Sequence, residues 1–125
     1  MRSNKSSGTK PELKLAKLLR RKLLMSRLPG RPDFVYPKAK LVIFVQGCWW
    51  HSCRVCKIPL PRTHRYYWRK KLEGNRERDK LNFAKLESEG WEAVEVWEHE
   101  LKRDSTAVAS KVKRMAIART RDRIV

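Results

Sequence analysis

Between Gly47 and Cys56 the chain places all three of its cysteines, one of its three histidines and two of its five tryptophans. The cysteines follow a Cys48-x4-Cys53-x2-Cys56 spacing, with Trp49, Trp50 and His51 between the first two. Thiolates at such short intervals suit tetrahedral zinc, and a closed set of soft ligands staples a loop that lacks a core of its own. Three free cysteines buried separately would not need to be crowded. No βαβ pattern surrounds Cys53-Arg-Val-Cys56, which argues against redox chemistry. A fourth ligand is required. His51 lies inside the loop, His64 lies just beyond it and His99 is remote, and spacing does not choose among them.

If His99 closes the zinc site, His51 is free for other work. A neutral imidazole near a cation-binding carboxylate can take a proton from water and so generate a nucleophile. Three carboxylates are candidates for that neighbourhood. Glu12 shares a helical face with Ala16 and Leu19. Asp33 precedes a strand. Asp79 falls in step with Phe83 and Leu86. Glu12 and Asp79 share faces with core residues, Asp33 starts a strand beside the end of the next, and a carboxylate in such places is unfavourable unless it is hydrogen-bonded or binds a cation. Mg²⁺ takes hard oxygen ligands and keeps several waters, so one or two carboxylates and a backbone carbonyl suffice for it.

The elements that must position these groups are legible from composition and periodicity. Residues 1–9 read as a mobile basic arm. A helix is expected from Lys10 to Leu24, with Thr9 and Glu12 at capping-box spacing and Pro11 in its first turn. Leu28-Pro29-Gly30-Arg31-Pro32 is a turn, and Asp33-Phe34-Val35-Tyr36 enters a strand. After a second turn, the unbroken apolar run Leu41-Val42-Ile43-Phe44-Val45 reads as a central strand buried on both faces. A hairpin of these two strands sets Asp33 beside the end of the second.

A basic linker from Lys57 leads to an aromatic, basic helix over 65–72. Gly74-Asn75 is expected to break it, with Asn75 capping a second helix from Arg76 to Glu89. Gly90 ends that helix, and the alternation of 92–97 predicts a strand. A last helix is expected from Ser105 to Ile117, followed by a basic tail over 118–125. The order predicts one α/β (α+β) domain across residues 1–125, with a small mixed sheet, flanking helices and a zinc-stapled loop.

Thirty-one Lys and Arg against thirteen Asp and Glu give a net charge of +18. With five tryptophans, that excess points to a polyanion offering flat faces for stacking, which fits nucleic acid better than a membrane surface. No run is long enough to span a bilayer, and the basic N-terminus lacks the apolar stretch of a secretory signal. The expectation is a cytoplasmic, prokaryote-type protein.

Several of these segments together carry a family resemblance. Leu28-Pro29-Gly30-Arg31-Pro32-Asp33, Val42 through His51, Asn75-Arg76-Glu77-Arg78-Asp79, Gly90-Trp91 and Val96-Trp97-Glu98 resemble the very short patch repair (Vsr) endonucleases. Met1 to Lys5 and Thr9 to Glu12 are similar too, and the likeness runs in order over residues 1–101. It implies a restriction-endonuclease-like three-layer fold, working as a monomer that cuts one strand of double-stranded DNA beside a T·G mismatch. It implies a Mg²⁺ held by Asp33 and the Val45 carbonyl, His51 as general base oriented by Asp79, and Glu12 completing the acidic set. It implies structural zinc on Cys48, Cys53, Cys56 and His99, where the family usually has Cys at the last position. Trp49, Trp50 and Trp68 match aromatic wedges that enter the duplex, and Arg31 and Asn75 fall in the matched motifs as further DNA contacts. Unstacking is least unfavourable at a mismatch, which gives the wedges an independent rationale. Related catalytic domains occur in homing-type, double-strand nucleases. A zinc-stabilised DNA-binding module without catalysis is the competing class.

Overall fold

The computed structural model describes residues 10–20, 28–53 and 55–124. Helix α1 spans Lys10–Leu19, strand β1 Phe34–Tyr36 and strand β2 Leu41–Gln46. Helix α2 spans Arg65–Ser88, strand β3 Glu92–Trp97 and helix α3 Glu98–Ile124. The sheet order is β1-β2-β3, with β1 antiparallel and β3 parallel to β2. The expected small mixed sheet between helices is therefore observed. The N-terminal arm, the Thr9 cap and positions 21–24 of the expected first helix lie outside the described residues.

β2 is central because it is apolar on both sides. Leu41 and Ile43 face α1 and α3, in a core with Leu15, Leu19, Phe34, Val96, Ala109 and Val112. Val42 and Phe44 face α2, in a second core with Val35 and Leu86. Complete burial of such side chains contributes about 1.5–3 kcal/mol each. Two apolar faces on one strand require helices on both, and three layers result.

Strand direction does the positioning. β1 runs against β2, so its start lies beside the end of β2: Phe34 pairs with Ile43. β2 and β3 run together in register, Gln46 opposite Trp97. Cys48 lies two residues beyond Gln46 and His99 two residues beyond Trp97, so both emerge from the same end of the sheet.

Two helix boundaries differ from expectation. Gly74 and Asn75 do not break α2, which is continuous from Arg65 to Ser88. A mid-helix glycine is unfavourable by only about 1 kcal/mol, and burial of Leu72 and Leu86 on either side outweighs it. Asn75 caps nothing; its amide is used elsewhere. α3 begins at Glu98, but a non-helical Asp104 divides it, so the helix expected from Ser105 is present and a short segment over 98–103 precedes it. Glu100 Oε1 accepts from the Trp97 N–H at 3.0 Å, the reach-back half of a capping box. Asp104 Oδ1 then accepts from the Ala107 N–H at 3.0 Å and caps the second segment, where the sequence signal placed the start. The expected basic tail over 118–125 is instead helical through Ile124. Arg119 ties it down by donating from Nε to the Ala39 carbonyl at 2.8 Å and from Nη2 to that of Lys40 at 3.3 Å.

Candidate active site and metal centre

Asp33 stands just before β1, at the end of the Leu28–Pro32 turn. Gly30 has φ +79, and a Cβ there would meet Phe44 Cε1 at 3.0 Å, so the turn needs glycine. Arg31 follows with φ 51 and an exposed side chain. The Asp33 N–H donates to the Ile43 carbonyl at 2.9 Å, and Asp33 Oδ2 accepts from the Val45 N–H at 2.7 Å. The carboxylate is thereby held at the end of β2, as the hairpin predicts. Glu12, 4% exposed, approaches from α1. Burial pushes the Asp33 carboxyl up from the ordinary 3.8 to about 7. The Val45 hydrogen bond opposes that rise, Glu12 adds to it through charge and hydrogen bonding, and His51 offsets part of it. Two acids sharing a desolvated space in this way fit a divalent cation, whose charge would remove both penalties.

His51 leaves the same strand end five residues after β2. Its Nδ1 lies 2.7 Å from Asp79 Oδ2 on α2. A carboxylate opposite Nδ1 places the proton there and leaves Nε2 with its lone pair, the tautomer a general base requires. The Asp79 position, in step with Phe83 and Leu86, is what aims it inward; Leu86 is fully buried against the sheet.

The four zinc candidates meet as well. Cys48 Sγ lies 3.3 Å and Cys53 Sγ 3.5 Å from His99 Nδ1, and with Cys56 the ligand atoms all fall within 4.8 Å of one another. Ligand atoms on a tetrahedral zinc lie about 3.5–4 Å apart, so a small contraction would close the shell. Burial pushes the Cys48 thiol up to about 12, against the pull of a hydrogen bond from the His99 backbone. Burial acts to raise Cys53 too, but hydrogen bonds from the Cys56 and Val55 backbone bring it below the ordinary value. Crowded thiols that cannot all ionise unaided are the donor set a soft cation completes. Spacing left three histidines open. The fold separates them: His99 faces the thiols, His51 faces Asp79, and His64 is exposed at the start of α2.

The 42% identity of a type II nicking enzyme from Xanthomonas oryzae pv. oryzae extends over 108 residues, covering 81% of this chain and 78% of that protein. A type II nicking enzyme from Lentzea aerocolonigenes is 37% identical over 86% of this chain and 70% of its own. The DNA mismatch endonuclease Vsr of Escherichia coli K12 is 40% identical over 78% of this chain and 66% of its own. The family model described as DNA mismatch endonuclease Vsr matches residues 1–57.

The chain belongs to the Vsr endonuclease family.

It is accordingly a DNA endonuclease, a hydrolase acting on phosphodiester bonds. Its family implies a metal ion, and the site offers an acidic pair for one and a Cys3His group for another. Among the described residues no helix is long and apolar enough to cross a membrane.

The aromatic residues matched to the Vsr wedges pack on one another. Trp49 meets Trp50 at 5.1 Å and Trp68 at 5.3 Å between ring centroids, edge to face, and all three are half-buried. Tyr67 joins Trp68 at 5.0 Å and is itself exposed. Asn75, expected as a DNA contact, has its amide engaged inside the protein: Nδ2 donates to the Trp50 carbonyl at 3.1 Å.

Some neighbours had no clear sequence signal. Glu98 Oε1 lies 3.5 Å from the Cys48 N–H, and Gln46 Nε2 donates to Glu95 Oε2 at 3.2 Å. Both acids face outward-reading positions in the strand and helix patterns, and only the parallel register of β2 and β3 brings them to the loop. Beside them is a cleft of about 450 Å³, lined by His51, Asp79, Glu95, Trp97, His99 and Glu100 among others.

Proposed function

We propose that this enzyme nicks one strand of duplex DNA beside a T·G mismatch, using Mg²⁺, as a single domain spanning residues 1–125 and acting as a monomer. The observation that carries the reading is the His51–Asp79 contact placed at the strand end where Asp33 and Glu12 meet. Asp33 and the Val45 carbonyl would hold Mg²⁺, with Glu12 completing the acidic set. When bound, Mg²⁺ supplies charge neutralisation at the phosphate and lowers the pKa of water. His51 Nε2 takes the proton of the attacking water while Asp79 keeps the ring in the required tautomer and stabilises the imidazolium that forms. Cys48, Cys53, Cys56 and His99 would hold a structural zinc that fixes the loop carrying His51.

Trp49, Trp50 and Trp68 would exchange their mutual edge contacts for base stacking, at the step where unstacking is least unfavourable. Arg31 would contact the duplex beside Asp33. The nicking enzymes among the relatives support cleavage of one strand.

The test presents T·G and T·A duplexes with Mg²⁺ and without it, and resolves products on denaturing gels. The expected outcome is Mg²⁺-dependent cleavage of the T strand of the T·G duplex. Equal cutting of both duplexes, or paired cuts on both strands, would replace the mismatch reading with a double-strand nuclease. Absence of metal-dependent cleavage would leave a DNA-binding module. His51→Ala should abolish cutting while zinc content and DNA binding persist.

A further inference from the structure

One face of α2 holds successive parts of the cysteine loop. Trp68, Asn75 and Asp79 are seven and four residues apart and form one stripe along the helix. The Trp68 ring meets Trp49 at 5.3 Å and Trp50 at 6.0 Å. Asn75 Nδ2 donates to the Trp50 carbonyl at 3.1 Å, and Asp79 holds His51 Nδ1 at 2.7 Å. The Asn75 amide is oriented at its other end, where Oδ1 accepts from Arg78 Nη2. A carbonyl can only accept and a guanidinium can only donate, so these two partners fix which way the amide faces.

The Trp50 carbonyl belongs to the peptide that leads directly into His51. Asp79 grips the end of the imidazole ring, and at its root the His51 N–H donates to the Gly47 carbonyl at 3.1 Å, a bond internal to the loop. The Asn75 bond at the other end of that peptide ties this turn of the loop to α2, the helix that carries Asp79. We infer that Asn75 is a positioning residue for His51, acting through the Trp50–His51 peptide, and that Arg78 sets the amide that does so. This rests on His51 serving as the general base. It assigns Asn75 a task inside the protein instead of, or before, any contact with DNA. It also ties the root of the base to the tryptophan beside it, so that one rigid helix aligns both.

Misplacement of a reacting group by about 1 Å lowers the rate by up to about 100-fold. Asn75→Ala should therefore reduce the single-turnover rate at saturating T·G duplex by about 10- to 100-fold, with duplex affinity within about 2-fold of the parent. Asn75→Asp keeps the size but turns an acceptor towards the Trp50 carbonyl, and should lose at least as much. Arg78→Ala, at an exposed side chain, should show a smaller loss of the same kind. A second readout needs no DNA: the His51 Nδ1–H proton, bonded to Asp79, gives a downfield NMR resonance in the free zinc-loaded protein. It should broaden or vanish in Asn75→Ala.

Weakened duplex affinity with an intact saturating rate would overturn the inference and make Asn75 a DNA contact. An intact rate with an unchanged resonance would overturn it as well. If the parent enzyme cuts no duplex, the general-base reading fails, while the resonance still reports whether Asn75 holds the ring. Where Asn75→Ala does not fold, Arg78→Ala decides by the same two measurements, and parental values in both overturn the inference.

Discussion

Replacing Asp33 by Asn should abolish nicking and yet stabilise the Mg²⁺-free protein at neutral and alkaline pH. Asn keeps an oxygen to accept the Val45 N–H, so the geometry at the end of β2 survives while the buried charge is removed. The Asp33 carboxyl is pushed from 3.8 to about 7, first by burial and then by Glu12. The gap, at 1.36 kcal/mol per pH unit, corresponds to about 4 kcal/mol as an upper bound. Local relaxation and water entry return part of it, so a difference of about 1–3 kcal/mol is expected.

The sign follows from proton uptake. As pH rises from about 4, Asp33 ionises first in the unfolded chain, while the folded state holds its proton up to about 7. The folded state therefore binds more protons over that interval, and stability falls as pH rises through it. Below about pH 4 the acid imposes no charge penalty, and above about pH 7 the penalty is at its full value. The assay is urea denaturation of both proteins from about pH 4 to 8, without Mg²⁺ and with zinc retained. The difference between the two curves reports Asp33 together with its coupling to Glu12, since the other titrating groups are common to both. It should grow with pH and then level off. Added Mg²⁺ should restore stability to the parent at high pH and do less for Asp33→Asn. Parallel pH curves, or a variant less stable than the parent at about pH 8, would refute the account of Asp33 as a desolvated carboxylate awaiting a cation.

His99→Ala should lower the zinc content measured by elemental analysis and destabilise the fold by several kcal/mol, because the ligand shell loses its histidine. His64→Ala, at an exposed residue outside that cluster, should leave both unchanged. Gly74→Ala should raise stability by about 0.5–1 kcal/mol in denaturant melts, since an added Cβ meets nothing within 4 Å and the glycine weakens a continuous helix. Arg119→Ala should cost about 2 kcal/mol and loosen the end of α3, seen as faster hydrogen exchange there, because three carbonyls lose a charged donor.

The local patterns were enough for much of the scaffold. The run Leu41–Val45 made β2 central, since a strand apolar on both sides must be covered on both. The hairpin then set Asp33 beside the end of β2, and Asp79, spaced with Phe83 and Leu86, had to point inward. The cysteine spacing marked a metal loop. Where local reasoning failed, tertiary packing outweighed a weak propensity. Gly74-Asn75 looked like a break because a glycine and a capping residue are adjacent, but Leu72 and Leu86 hold the helix together across it. The helix from Ser105 begins where expected, after the non-helical Asp104; the short segment over 98–103 before it carries no such signal, because its cap is made by Glu100, a residue type that signals a cap only when the preceding strand end is known.

What sequence could not decide was which remote groups meet. Cys48 and His99 are 51 positions apart and approach because β2 and β3 are parallel and in register. That pairing separates His99 from His51 and leaves His51 to Asp79. Glu12 reaches Asp33 only because α1 packs on α3 and the first face of the sheet. Asn75 reaches the Trp50 carbonyl only because α2 crosses the loop unbroken. Spacing along a chain constrains neighbours within a turn or a strand; distances between elements are set by which faces they bury, and here that burial assembles the site.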